Sequence, residues 1–155
     1  MTNVQVFVEM LAAAVADELG RWEARLASET MVIFDLGCYP WHGYLELSFL
    51  TANEPQLSER LAEDNIAEWR LYNFAPQWPA GKPLAQRMKE HWSKDPNKAG
   101  VSELYFSICA EAMLSGRVSS ALASYKLHPT FHVRVLNPDD RHSGNCCELV
   151  NDREV

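Results

Sequence analysis

Long hydrophobic runs are missing from this chain. No stretch of ~20 uncharged apolar residues occurs, so no segment reads as a membrane-spanning helix. Cysteine is sparse, with only Cys38, Cys109, Cys146 and Cys147. None of them forms a CxxC element, and the adjacent pair Cys146-Cys147 has neither redox nor zinc-finger spacing. Glycine-rich loops are missing too. There is no GxxxxGK[ST] phosphate loop, no GxSxG nucleophile elbow and no HExxH helix, which removes the sequence signatures of P-loop enzymes, α/β-hydrolases and zinc peptidases. No β-α-β unit carries a glycine-rich first turn, which disfavours a dinucleotide fold. Internal repeats, low-complexity tracts and linkers are also lacking. The opening MTNVQVFVEMLAAAVADELG has no basic n-region, and Glu9, Asp17 and Glu18 interrupt its apolar positions. The expectation is therefore no secretory leader, free thiols and a cytoplasmic setting.

What is present suits one globular unit. Apolar residues make up 47% of the 155 positions and charged residues 23%. A chain of that length and composition buries roughly 70% of the surface its unfolded form exposes. A single domain over 1–155 is expected, with no disulfide, metal or cofactor needed to hold it. The net charge of −7 is uneven. Residues 1–77 hold 12 acids and 4 bases, residues 78–134 hold 4 acids and 8 bases, and residues 135–155 hold 5 acids and 2 bases. The acidic N-terminal half repels nucleic acid and favours basic partners. The bases Lys82, Arg87, Lys89, Lys94 and Lys98 form a cluster that either meets an anion or is solvated beside the acidic half.

Periodicity predicts the elements. Val4, Phe7, Leu11, Ala14, Val15, Leu19, Trp22 and Leu26 repeat at helical spacing over 3–27, and Thr2 or Asn3 is placed to cap the start. Residues 31–37 and 44–51 read as strands of an antiparallel hairpin. A short helix is predicted at 55–64, a third strand at 67–74, and helices at 83–94 and 101–125 with a division at Gly116. A strand follows at 130–136. The polar tail 137–155 is expected to be partly ordered, with an edge strand at Cys147–Val150. The fold class is α+β. An antiparallel or mixed sheet of four to five strands carries the N-terminal helix and two to three further helices.

Chemistry gathers at one place. Cys38-Tyr39-Pro40-Trp41-His42-Gly43 joins the hairpin strands and brings together a thiol, a phenol, an indole and an imidazole. With Asp35 three positions upstream, Cys38 and His42 have the residue types of a nucleophilic site, which would need a thiol of lowered pKa. Strand alternation and the lack of a following helix argue instead for a rigid aromatic turn. The histidines are His42, His91, His128, His132 and His142. His128 and His132 flank Pro129, and four residues of extended chain span ~13 Å, so no metal site is expected. Trp22 and Trp92 fall on apolar helix stripes, and Trp69 falls on a strand. Trp41 and Trp78 lie in loops beside prolines, where a tryptophan either anchors a partner or folds over the core edge.

In size, acidity and layout the chain resembles the small cytosolic immunity proteins that bacteria pair with toxins. The resemblance covers architecture and supplies no site. The reading it supports is a non-catalytic protein-binding domain that neutralises a basic toxin. Its contacts would come from Tyr39, Trp41, His42, Glu46, Glu68 and Trp78. Nucleic acid and membrane are not expected partners, whereas a homodimer is compatible. One alternative is a small enzyme using Asp35, Cys38 and His42. The other is a homo-oligomeric structural subunit joined through the same aromatic loops.

Overall fold

Thr2 starts the first helix with a reciprocal cap. In the computed structural model, which describes residues 1–54 and 63–153, the Thr2 hydroxyl oxygen accepts from the Gln5 N–H at 3.1 Å. The Gln5 side-chain oxygen accepts from the Thr2 N–H at 3.0 Å. Such a box satisfies two otherwise orphaned donors. Helix α1 (Asn3–Trp22) buries Phe7, Leu11, Ala14, Val15 and Leu19. It ends before the expected 27, and turns carry the chain on with Leu26 buried. Glu18 is buried among these residues and accepts from the Trp22 indole N–H at 3.1 Å.

The hairpin forms as expected. Strand β1 (Thr30–Tyr39) pairs antiparallel with β2 (Tyr44–Thr51), and Tyr39 lies opposite Tyr44 at the tip. Strand β3 (Lys126–Arg134) lies parallel to β1 on its other side. The sheet is thus mixed, in the order β2-β1-β3. It has three strands among the described residues, not four or five. The predicted strand at 67–74 is a 3-10 turn (Ile66–Glu68) followed by a single bridge from Leu71 to Phe49. Trp69 and Phe74 are both buried there, in different clusters. The predicted helix at 55–64 lies outside the described residues, except for Glu63 and Asp64, which are helical.

Helix α2 (Gly81–Lys94), α3 (Lys98–Met113) and α4 (Gly116–Leu122) follow. The predicted helix at 101–125 is therefore two helices. Ser115 divides them by accepting from the Val118 N–H at 3.3 Å, which caps α4. The expected edge strand at Cys147–Val150 is instead helix α5 (Cys146–Arg153). The Asn145 side-chain oxygen accepts from the Cys147 N–H at 3.0 Å, which favours a helical start over an extended chain. Among the described residues five α-helices are formed, more than the predicted three to four.

Helix α3 buries Val101, Tyr105, Phe106, Ile108, Cys109 and Met113 and keeps Glu103 and Glu111 exposed on its outer side. It packs against α1, α2, α4, α5, β1 and β3. The pairing of β1 slips between Met31 and Ile33 toward both neighbours, as at a β-bulge. The slip resets the alternation. Beyond it, Phe34, Leu36 and Cys38 face the helices, while Ile33 joins Leu50 and Trp69 in a small second cluster.

Candidate functional site: the hairpin tip and its flanking grooves

Pro40, Trp41, His42 and Gly43 close the hairpin. The Tyr39 carbonyl accepts from the N–H of His42 at 3.1 Å and of Gly43 at 2.9 Å. Gly43 has φ 69°, the left-handed conformation that ends such a turn. A Cβ there would also meet the Lys89 Cβ at 2.9 Å, so the tip rests closely on α2. Four rings then follow in sequence. Tyr39 and Trp41 meet edge to face at 6.2 Å, Trp41 and His42 at 6.2 Å, and His42 and Tyr44 at 5.6 Å. His42 is exposed, Tyr39 and Trp41 are half-buried, and Tyr44 is 56% exposed. Tyr44 was absent from the sequence-based set, because its strand alternation marked only an outward residue and not a ring partner of His42.

The Asp35, Cys38 and His42 set does not assemble. Asp35 and Cys38 project to opposite faces of β1. Asp35 accepts from the Arg134 Nε–H at 2.6 Å, and the Arg134 guanidinium also lies over the Trp69 ring at 4.9 Å. Burial raises the Asp35 carboxyl above its usual range, although Arg134 pulls the other way. Cys38 has 0% exposure, and its sulfur lies 3.7 Å from the Met88 sulfur. Burial pushes its thiol pKa well up, with Cys109 adding to the rise. The enzyme alternative needs the opposite shift.

The remaining predicted contacts divide. Trp78 is 3% exposed, and its indole N–H donates to the Ala14 carbonyl at 3.1 Å, so it folds back into the core. Glu46 is half-buried and accepts from the Tyr72 hydroxyl at 2.9 Å. Burial, and then that contact, push the Tyr72 pKa up to about 12. Glu68 is exposed on the 3-10 turn.

A concavity lies on each side of the tip. One, of about 440 Å³, opens between the start of β2 and the first turns of α2, where Tyr44, Glu46, Asn73, Lys82 and Gln86 line it. Asn73 has φ 45°, uncommon for a residue other than glycine, and its N–H donates to the buried Ser48 hydroxyl at 2.9 Å. The other, of about 400 Å³, runs from Trp41 and Trp92 to Glu103, Phe106 and Asp139. Trp92 is half-buried and forms its wall, where the helix stripe suggested only a core position. Among the described residues, no three His, Cys, Asp or Glu side chains are placed to hold a metal ion. No described helix is long and apolar enough to cross a membrane.

No protein-family model matches this chain. No curated protein and no solved structure matches it significantly.

Proposed function

We propose that this chain is a non-catalytic protein-binding domain whose contact surface is the tip of the β1–β2 hairpin. The observation that carries this reading is the run of four rings in successive contact, Tyr39, Trp41, His42 and Tyr44, on a short turn braced by α2. Rigid, half-exposed aromatic side chains offer large contact area at low entropic cost, as at interface anchors. The excess of acids, net −7, favours a basic partner and speeds association with it. A basic toxin neutralised by an immunity-type domain fits that charge. The four cysteines are unbridged, which supports action in a reducing compartment such as the cytoplasm.

Co-purification from producing cells at native expression tests the reading. Wild-type protein should retain a basic partner in fixed stoichiometry, and Trp41→Ser combined with Tyr44→Ser should lose it while keeping the same circular dichroism. Equal retention by both proteins, or no partner on the wild type, would remove the tip from any binding role.

A further inference from the structure

The concavity beside Trp41 does not end at Asp139. A second one, of about 510 Å³, adjoins it and shares Glu103, Phe106 and Asn137 with it. Together they make one groove along the outer side of α3, from the hairpin tip to α5. Its two ends are apolar. Trp41 and Trp92 line the first, and Leu149, 44% exposed, lies at the second with Val150.

Three carboxylates line the stretch between those ends. Glu103 stands on α3, while Asp139 and Asp140 stand on the facing loop. That loop is ordered by its own hydrogen bonds. The Asn137 side chain accepts from the Asp139 N–H at 3.0 Å, and the Asn137 carbonyl accepts from the Asp140 N–H at 3.1 Å. The single lysine lining the groove, Lys98, is committed elsewhere. Its ammonium donates to the Trp92, Ser93 and Asp95 carbonyls at 2.8, 3.3 and 3.2 Å and lies 4.4 Å from the Trp92 ring centroid. Its charge thus offsets the negative end of α2.

We infer that this groove receives an extended basic segment of the partner protein, with arginine or lysine between the Glu103 wall and the Asp139–Asp140 wall and apolar side chains at both ends. The inference rests on the protein-binding reading and extends it from the hairpin tip along α3. Charge complementarity selects the occupant, because cations approaching this stretch meet carboxylates from two sides. At the tip end the half-buried Trp41 ring adds apolar contact area, while the Trp92 ring already carries Lys98.

The direct test uses a short fluorescein-labelled peptide alternating arginine and leucine, with a glutamate–leucine peptide as control. Anisotropy is read on wild type and on two variants of equal charge change. The first carries Glu103→Gln, Asp139→Asn and Asp140→Asn. The second carries Glu9→Gln, Asp17→Asn and Glu23→Gln on exposed positions of and just beyond α1. The expected result is roughly tenfold weaker arginine-peptide binding in the groove variant, with a shallower salt dependence, and a change of less than about twofold in the α1 variant. The single variant Glu103→Lys should weaken binding in the same direction and guards against misfolding of the triple variant. Equal loss in both triple variants would mean that binding follows net charge alone, and the groove assignment would fall. Failure of the wild type to prefer the arginine peptide would also overturn it. A native partner lost by the Trp41→Ser, Tyr44→Ser protein but kept by the groove variant would sink the groove and leave the tip reading standing.

Discussion

Single residues in this protein are held by partners that make their substitution costly in specific ways. Gly81 opens α2, where alanine would ordinarily gain about 1 kcal/mol of helix propensity. A Cβ at that position would lie 2.4 Å from the Trp78 ring, which is itself buried and bonded to α1. Overpacking dominates, and Gly81→Ala should destabilise by about 1–3 kcal/mol in urea titration. A stabilised variant would show that the ring moves freely. Arg134 is a second case. Its loss leaves the Asp35 carboxylate buried and unpaired, which costs about 3–5 kcal/mol. The loss from Arg134→Met should shrink as pH falls, because the unpaired carboxyl can then take up a proton, and denaturant midpoints at neutral and acid pH measure this. The thiols form a third case. Cys146 is half-buried and should be alkylated first in the native protein, while Cys38 should react only on unfolding. Timed iodoacetamide labelling read by mass spectrometry decides it. Labelling of Cys38 as fast as a simple peptide thiol would restore the nucleophilic alternative.

At the scale of elements, the hairpin and the helices of clear amphipathic period were legible in the sequence. Leu45, Leu47 and Phe49 alternate because one face of β2 meets the core, and the Thr2–Gln5 box marks where α1 begins. Residues 67–74 were misread because apolar residues record burial and not ladder pairing. Trp69 enters one cluster and Phe74 the other from a chain that is mostly turn. Cys147–Val150 was misread because its helical start depends on Asn145. The Asn145 side chain also accepts from the Val135 N–H at 3.1 Å and donates to the Val133 carbonyl at 2.9 Å, which ties α5 to the end of β3. Asn145→Ala should therefore cost about 1–2 kcal/mol, more than an exposed cap alone, and should raise amide hydrogen exchange in α5 and around Val133–Val135. Unchanged exchange there would show that α5 is held by its apolar contacts only.

For the whole molecule, several ionisable side chains share one shift. Burial raises the Cys147 thiol from 9.0 to about 12 and helps raise the Tyr72 phenol from 10.0 to about 12. It also raises Cys38 and Tyr125, whose hydroxyl donates to the Leu19 carbonyl at 2.6 Å. The unfolded chain releases these protons at lower pH than the native one. Between the two sets of pKa values the native state binds more protons, so stability falls as pH rises. Denaturant midpoints should be steady from about pH 7 to about pH 9 and decline above it. Tyr125→Phe should flatten part of that decline, and a midpoint that rises through this range would contradict the shared burial of these groups.

The sequence by itself determined the α+β class, the hairpin, the charge balance and the aromatic turn, because each follows from local spacing and composition. Tertiary structure decided the rest. It joined β3 parallel to β1, drew Trp78 inward, and turned Asp35 and Cys38 to opposite faces. It also set Trp92, Glu103 and Asp139 along one groove, although they lie far apart in the chain and carry no shared motif. The physical reason is that periodicity reports which residues leave water, whereas only packing decides which distant residues they then meet.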